Sequence, residues 1–312
     1  MQLKLDKTIP LGGIHGKIAQ IAVNEEKQIA YLAVIGNNSL IAVDLQTGLI
    51  VHIIKELNEP QGVAYVAQNN TIVVTNAGDG KCTVYDAATY EELRNLSLTY
   101  DADEAHYCPS LNKIFIGYGD GGVSVINADS FSVASDLKLP THPFSFAVDE
   151  GKQKLFVNVP VAQKIFVFDL KTEASVAQWD PQASANYAMA LDTNDNRLFI
   201  ACHNPAKLEV FDTQGGNMVY SMSCAADADD MFYNPYKKEI YVSCGAGYVD
   251  VIKQKDADHY DNVAKIQTRI GARTSLFVPG LNVFLVALPA ALGKEAELRV
   301  YKPTQANSLA KK

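Results

Sequence analysis

One sequence pattern recurs along almost the whole chain and restricts the fold more than any other feature. A strand-like segment ends in a hydrophobic residue followed by a polar one, and it occurs seven times, at Val43-Asp44, Tyr85-Asp86, Ile126-Asn127, Phe168-Asp169, Phe211-Asp212, Ile252-Lys253 and Tyr301-Lys302. Successive copies lie 41–43 residues apart, except for an interval of 49 before the last. This period is typical of the four-stranded blades of a β-propeller. The repeat predicts an all-β fold with seven blades.

A second strand is visible inside six of the repeats. It consists of the β-branched and aromatic runs that strands prefer, at Tyr31-Leu32-Ala33, Val73-Val74-Thr75, Phe115-Ile116-Gly117, Phe156-Val157-Asn158, Phe199-Ile200-Ala201 and Tyr241-Val242-Ser243. Polar turns such as Asn69-Asn70 and Gly215-Gly216 separate the runs, as in β-hairpins. No segment long enough for a helix keeps a 3.6-residue hydrophobic period. We therefore expect four-stranded blades built from hairpins.

The two ends of the chain are predicted to meet in one blade. The seventh repeat ends at Tyr301-Lys302 without an outer strand after it, whereas residues 3–11 resemble the outer strands at 49–57 and 131–139. Pairing residues 3–11 with the last repeat would cover an exposed sheet edge and close the ring. We expect one propeller domain at 1–303, with 1–11 as the outer strand of its last blade, and a short C-terminal tail at 304–312.

Two segments resemble the repeats of a known family. Val73-Val74-Thr75-Asn76 is similar to the YVTN core of YncE-like propellers, and Pro60-Gln61-Gly62-Val63-Ala64 is similar to their P-x-G-V-A segment. The similarity runs over essentially the whole chain, but Ser243-Cys244 and Ala287-Leu288 replace Thr-Asn in the sixth and seventh repeats. The resemblance implies the seven-bladed fold, and it implies architecture more than chemistry.

The same resemblance bears on location. YncE-like propellers are mostly exported binding or accessory proteins without an assigned catalytic motif, and wider relatives include enzyme subunits, surface-layer proteins and a lyase. The resemblance therefore favours a periplasmic or extracellular protein. The first six residues lack the charged and apolar regions of a signal peptide. An exported protein would need a leader that this sequence does not include, and a cytoplasmic location stays open.

Charge and hydrophobicity limit the classes of partner. The net charge is -8, and no basic run is longer than a pair such as Lys311-Lys312, which argues against nucleic acid because clustered Lys and Arg bind its phosphates. A cation, a cationic ligand or a basic protein suits this charge better. The longest apolar stretch, at 276–293, is interrupted by prolines, a glycine and an asparagine, so no membrane span is predicted.

Two acidic clusters hold the same place in their repeats. They are Asp101, Asp103 and Glu104 at the start of the third blade, and Asp227, Asp229 and Asp230 at the start of the sixth. They lie 126 residues apart, which is three periods, so we expect them to face each other across the mouth of the central channel. Carboxylates around a concave site hold calcium or magnesium, or they concentrate other cations. Asp-rich links also occur as ordinary turns.

Basic residues are expected beside these clusters. His142 has the position of Asp101 one blade later, where it would act as a metal ligand, an acid–base group or a solvated loop residue. Arg273 begins the inner strand of the last blade, and either binds an anion or forms a salt bridge with one of the aspartates. The predicted ligand site is therefore Asp101, Asp103, Glu104, His142, Asp227, Asp229, Asp230 and Arg273. Its predicted metal ligands are Asp103, Glu104, His142, Asp229 and Asp230.

A second, softer ligand set is suggested by cysteine. The chain has five cysteines and no C-x-x-C spacing. Cys202 and Cys244 hold matching positions at the end of the second strand in blades five and six, Cys224 ends the outer strand between them, and His203 follows Cys202. These four residues would suit a soft metal or a redox pair, or the cysteines would act as small buried hydrophobes.

Three functions are compatible with these features. The leading hypothesis is a non-catalytic binding or scaffold propeller that holds a ligand, a cation or a protein partner at the channel mouth, because the sequence lacks G-x-S-x-G, H-E-x-x-H and S-x-x-K motifs in a suitable context. The first alternative is a metal-assisted lyase or hydrolase at the same place. The second is an accessory subunit of a redox complex.

Overall fold

The seven repeats fold into seven antiparallel sheets. The computed structural model describes residues 3–98 and 100–304, and every sheet in it has four strands. Inner strands of neighbouring blades lie side by side around a central channel, and contact between β2 (Ile18–Asn24) and β26 (Thr274–Val278) completes the ring. The prediction of an all-β, seven-bladed propeller is confirmed.

The strands have the same order in every blade. The other inner strands are β6 (Pro60–Val66), β10 (Ala102–Cys108), β14 (Phe146–Asp149), β18 (Ser184–Asp192) and β22 (Ala228–Asn234). The second strands are β3 (Ile29–Val34), β7 (Thr71–Asn76), β11 (Lys113–Tyr118), β15 (Lys154–Val159), β19 (Arg197–Asn204), β23 (Glu239–Cys244) and β27 (Val283–Leu288). The third strands are β4 (Ser39–Asp44), β8 (Lys81–Asp86), β12 (Gly122–Asn127), β16 (Lys164–Asp169), β20 (Ala206–Asp212), β24 (Tyr248–Asp256) and β28 (Ala296–Pro303). The outer strands are β5 (Leu49–Ile54), β9 (Glu92–Ser97), β13 (Val133–Lys138), β17 (Ala174–Trp179), β21 (Met218–Ser223), β25 (His259–Gln267) and β1 (Leu3–Leu11).

The N-terminal strand closes the last blade, as predicted. β1 pairs antiparallel with β28, from Leu3 opposite Pro303 to Leu11 opposite Ala296. Leu3, Ile9 and Leu11 are fully buried by this pairing. The N-terminal strand therefore covers the open edge of β28 and also contributes buried hydrophobic side chains to the last blade. Residues 305–312, most of the expected tail, lie outside the described residues.

The polar residue of the repeat shapes a hairpin. Asp44, Asp86 and Asp169 each end a third strand, and each side chain accepts two backbone N–H groups from the following turn. Asp side chains stabilise turns in this way. In the sixth blade Lys253 takes the repeat position, the hairpin is longer, and Asp256 accepts the N–H of Asp258 instead. The polar residue of the repeat therefore recurs because its side chain stabilises the turn that follows each third strand.

The hydrophobic core lies between the blades. Second strands such as β7 and β27 are buried along their whole length, because neighbouring blades cover both faces. One cluster packs Leu32 of the first blade against Leu285 of the last, and another packs Phe199 of the fifth blade with Tyr260 of the sixth. The apolar contacts therefore run around the whole ring.

Antiparallel strand order decides which loops share a face. The link into each inner strand and the loop between the second and third strands lie at the same end of the blade, which we call the channel-mouth face. Three 3₁₀ turns, at Ile35–Asn37, Pro109–Leu111 and Pro160–Ala162, are the only helical elements of the described residues. Within 3–98 and 100–304, no helix has the length and hydrophobicity needed to cross a membrane.

Candidate functional site

The central channel contains two connected cavities. The mouth cavity has a volume of about 60 Å³, and Lys17, Asp103 and Thr274 line it. The chamber beneath it has a volume of about 210 Å³ and reaches further along the inner strands, to Tyr65 and Phe232. Both cavities share the residues Gln20, Glu104, Ser145, Asp229 and Asp230.

Irregular pairing at the start of the inner strands presents these residues to the channel. The register shifts between Ala102 and Ala105 in the third blade and between Ala228 and Asp230 in the sixth. Three other inner strands shift near the same place, β2, β6 and β18. Such bulges turn side chains away from the regular alternation of a strand. They allow Asp103 and Glu104, consecutive in sequence, to line the same cavity.

The third-blade rim consists of Asp101, Asp103 and His142. His142 extends from the link into the fourth blade, and its Nε2 is 3.1 Å from Asp103 Oδ2, while its Nδ1 is 3.6 Å from Asp101 Oδ2. Burial lowers the pKa of His142, but the hydrogen bond and charge of Asp103 and the charge of Asp101 outweigh burial, so the pKa is raised above its ordinary value. The rim is therefore a titratable ion-pair cluster.

The sixth-blade rim consists of Asp227, Asp229 and Arg273. Arg273 Nη2 is 2.9 Å from Asp227 Oδ2, and Nη1 is 3.1 Å from Asp229 Oδ2. The salt-bridge alternative for Arg273 is thus the observed one, and it involves two aspartates. Burial raises the pKa of Asp229, although Arg273 opposes this effect. One guanidinium holds both carboxylates of this rim.

Glycine makes room for both rims. A Cβ atom at Gly119 would overlap Asp101, and a Cβ atom at Gly245, which is 126 residues later, would overlap the carboxylate of Asp227. Asp101 and Asp227 themselves adopt positive φ angles of 51° and 63°. Such backbone angles favour Asp, Asn and Gly over other residues. The two rims therefore share the same local backbone conformation, an aspartate at positive φ packed against a glycine.

Glu104 lies beneath the third-blade rim. Its Oε1 is 2.8 Å from His106 Nε2, and His106 packs edge-on against Phe146 of the next blade. The buried Oε2 atom of Glu104 has no hydrogen-bond partner among the described residues. Burial raises the pKa of Glu104, and the charge of Asp103 adds to the effect while His106 opposes it.

Asp230 occupies the corresponding place in the sixth blade. Its Oδ2 accepts the backbone N–H of Ser275 at 2.7 Å. Burial raises the pKa of Asp230 well above its ordinary value; the N–H of Ser275 opposes this, and the charge of Glu104 adds to it. The charge of Glu104 therefore reaches Asp230 from the third blade.

Several lining residues were not among the predicted site residues, and three of them are polar groups of particular interest. Lys17 is exposed at the mouth, Gln20 bridges Val63 and Ala105 through its amide, and Ser275 is buried beside Asp230. The repeat period contains a signal for Gln20, because it precedes Glu104 by 84 residues, or two periods. Ser275 follows Asp230 by 45 residues, which is slightly out of register, so a search at a fixed period misses it.

One group of three potential metal ligands lies close together in the parts of the chain that the structure describes. It consists of His203, Asp227 and Asp229. His203, near the end of β19, places Nε2 3.7 Å from Asp229 Oδ1 and 2.9 Å from the backbone oxygen of Ala228. The other predicted ligands, Asp103, Glu104, His142 and Asp230, line the channel or its rim but are not gathered as closely. Arg273 already contacts both carboxylates of the group.

The predicted cysteine set forms no disulfide bond in the structure. Cys202 and Cys244 are buried at the ends of β19 and β23, and Cys224 directly follows β21. Burial raises the pKa of Cys224 to about 12 and also raises the pKa of Cys202 and Cys244. Raised pKa values disfavour the thiolate that reacts or binds metal. No close group of three metal-ligating side chains in 3–98 and 100–304 includes a cysteine.

Comparisons with known proteins support the architecture. No protein-family model matches the chain, and no curated protein matches its sequence. A chain of a solved structure described as "Crystal Structure of Mitotic Checkpoint Complex" has a TM-score of 0.81 to this one, with 12% identity, covering 96% of this chain and 92% of that chain. At this identity the likeness shows the propeller fold alone. The YncE-like assignment stays a prediction.

Proposed function

We propose that the protein is a non-catalytic binding propeller that takes a cationic ligand into its central channel through the channel-mouth face. One observation carries the proposal: Glu104, Asp229 and Asp230 line both the mouth cavity and the chamber. Carboxylates in a cleft with low-dielectric walls create a field that concentrates cations. The net charge of -8 acts in the same direction at long range.

The distribution of basic groups supports a ligand at the level of Glu104 and Asp230. His142 and Arg273 already pair with the rim carboxylates. Lys17, which also lines the mouth cavity, is exposed and forms no ion pair among those of the described residues. Deeper in the channel, Glu104 has His106 as its partner at 2.8 Å, whereas Asp230 forms no ion pair among the described residues. A ligand that brings positive charge would therefore relieve the repulsion between the two carboxyl groups.

An organic cation fits this geometry better than a metal ion. Calcium needs six to eight oxygen ligands at roughly 2.3–2.6 Å, whereas a guanidinium already occupies the closest ligand group, at Asp227 and Asp229. Calcium and magnesium are retained as ligands to test, because the sequence suggests them. A metal-assisted lyase or hydrolase is the alternative, and bound metal together with a pH-dependent activity would favour it.

Ligand-induced changes in melting temperature test the proposal. The wild-type protein is screened against calcium, magnesium and small organic ammonium compounds. A ligand that binds only the folded state stabilises it by about 2.7 kcal/mol at a hundredfold excess over Kd. We expect a shift with at least one cation in the wild type, and its loss in Glu104→Gln/Asp230→Asn.

A matched control removes the same number of charges from the same face. Asp120 and Asp180 lie in loops of the channel-mouth face but line neither cavity. The Asp120→Asn/Asp180→Asn variant should respond like the wild type. If no cation shifted the wild type, or if both double variants lost the response equally, the proposed channel site would be wrong.

A protein partner at the same face is the second candidate. Val161, Ile270 and Leu292 are exposed there, and Ile270 and Leu292 belong to neighbouring loops of the last blade. Apolar side chains surrounded by polar ones are typical of interaction sites. A partner chain, such as a subunit of a redox complex, should co-purify with the wild type and be lost in Ile270→Asp/Leu292→Asp. Tyr236→Asp changes an exposed side chain on the opposite face, and should retain the partner.

A further inference from the structure

The chamber has a carboxylate-lined end next to the mouth and a wall further in that is rich in apolar side chains but also includes Tyr65, His106 and Tyr107. Glu104, Asp230 and Ser275 lie at its upper end, next to the mouth. Further from the mouth its wall includes Phe146, Met189, Phe232 and Leu276. A ligand that fills this space would therefore need a positively charged head and an apolar body.

Ser275 gives an independent indication of a ligand. It is 3% exposed, it belongs to the wall of the chamber, and its hydroxyl oxygen has no hydrogen-bond partner among the described residues. Buried polar groups are nearly always hydrogen-bonded, and leaving one unpaired is unfavourable by roughly 1–3 kcal/mol. The buried Oε2 atom of Glu104 is unpartnered at the same end of the chamber. Two residues of the chamber wall thus each have one buried polar atom without a hydrogen-bond partner among the described residues.

An ammonium group matches the acceptors at this end. It carries three N–H donors and no acceptor, and the chamber offers Glu104 Oε2, the Asp230 carboxyl group and the Ser275 hydroxyl. Asp230 has capacity for a further bond, because a carboxylate accepts about four hydrogen bonds and the N–H of Ser275 uses one of them.

The size of the chamber limits the body of the ligand. A cavity of about 150 Å³ accommodates a benzene ring, so a chamber of about 210 Å³ has room for one ring with a short aminoalkyl chain. Burying that body against the apolar wall adds roughly 25 cal/mol for each Å² removed from water.

We infer that the chamber binds a small amphipathic primary amine, with its ammonium group between Glu104, Asp230 and Ser275 and its single-ring or short-chain body against Phe146, Met189, Phe232 and Leu276. This inference rests on the proposed cation-binding function and narrows the ligand to one chemical class.

Calorimetric titration of the whole protein with matched probes tests it. Phenethylamine carries both the head and the body, methylammonium carries the head alone, and 2-phenylethanol carries the body without the charge. Calcium chloride tests the cation site separately. We expect phenethylamine to bind at least about tenfold more tightly than methylammonium or 2-phenylethanol, because each lacks one of the two contacts.

Two variants and one control locate the site. Ser275→Ala and Glu104→Gln should each weaken phenethylamine binding about tenfold, the effect expected when one hydrogen bond to a charged group is lost. Ser243→Ala is the matched control, because Ser243 also has a buried, unpartnered hydroxyl but is outside the chamber wall. It should bind phenethylamine like the wild type.

The outcomes separate this inference from the proposed function. If calcium or methylammonium binds as tightly as phenethylamine, and Glu104→Gln abolishes that binding, the channel binds cations but the amphipathic ligand class is wrong. If Ser275→Ala and Ser243→Ala behave alike, the assigned position of the ammonium group is wrong. If no probe binds the wild type, both the proposed cation-binding function and the inferred ligand class are wrong.

Discussion

The rims of blades three and six have the same local backbone conformation, but a different basic residue pairs with the aspartates of each. Asp101, Gly119 and Asp103 have counterparts 126 residues later in Asp227, Gly245 and Asp229. In both rims a side chain from the link into the following blade reaches back to the two aspartates. That side chain is His142 in one rim and Arg273 in the other.

The difference separates a fixed rim from a titratable one. The guanidinium of an arginine is planar and stays charged across the ordinary pH range, and that of Arg273 contacts both aspartates at 2.9–3.1 Å. His142 makes one hydrogen bond, to Asp103, and loses its charge as the pH rises. His142 and Arg273 hold matching places in their rims but differ in how their charge depends on pH. A cation approaching the mouth therefore meets a rim of constant charge at blade six and a rim of pH-dependent charge at blade three.

Opening the ring should lower the stability of the fold more than any other change, because the closed ring holds blades three and six, and so the two rims, in fixed positions. Deleting residues 1–11 removes β1 and the buried side chains of Leu3, Ile9 and Leu11. Burial of one such side chain contributes about 1.5–3 kcal/mol, so the sum approaches the whole stability of a typical protein, about 5–15 kcal/mol. We expect the deletion to lower the melting temperature sharply in a thermal circular-dichroism scan.

A point-variant pair separates burial from strand pairing. Leu11→Ala empties a fully buried position of β1 and should destabilise the fold by about 2–5 kcal/mol. Leu5→Ala changes an exposed position of the same strand and should have little effect. An unchanged melting temperature after the deletion would contradict the closure model.

Removing Arg273 should have the next largest effect and should distinguish the rims. Arg273→Met leaves Asp227 and Asp229 without their guanidinium, and Asp229 is largely buried. We expect a loss of about 1–2 kcal/mol in the free energy of unfolding by urea, less than for a fully buried pair because Arg273 is partly exposed. His142→Gln should destabilise less than Arg273→Met at the alkaline end of the pH range, where histidine has lost its charge. Equal losses would mean that the rims do not differ.

The fold was predictable because the repeat reflects local chemistry. Residues such as Asp44 and Asp86 cap hairpin turns, and uninterrupted runs such as Val73-Val74 fill buried second strands. Each feature recurs because each blade needs the same turn and the same buried strand. The N-terminal closure followed from the absence of an outer strand after Tyr301-Lys302.

The site was only partly predictable, because bulges change which side chains face the channel. A shift of one residue moves a strand side chain to the other face, so the sequence period locates Asp103 and Asp229 but does not say that Ser275 borders the same chamber. Ion-pair geometry was also beyond the sequence. Arg273 was expected either to bind an anion or to form a salt bridge with one aspartate, whereas the fold brings it to Asp227 and Asp229 together.

The smallest expected effect is the pH dependence of the third-blade rim, and it is the most direct test of the comparison. Asp101 and Asp103 face His142 from the third blade, and they hold its pKa above the ordinary value of about 6.5 despite its burial. The folded state therefore binds the proton more tightly than the unfolded chain. The resulting stability is complete below the unfolded pKa and is lost as the pH rises through the folded one.

Urea unfolding of the wild type and His142→Gln between about pH 5 and 9 measures this contribution. Glutamine keeps a hydrogen-bond donor but cannot carry the charge, so the difference between the two proteins reports the charge alone. We expect the wild type to be more stable by up to about 1 kcal/mol at the low end of this range and the difference to vanish at the high end. Arg273→Met should show an offset that changes little with pH over the range in which histidine titrates, because arginine stays charged. A difference for His142→Gln that stays constant or grows with rising pH would show that His142 does not bind its proton more tightly in the fold, and the contrast between a titratable and a fixed rim would be lost.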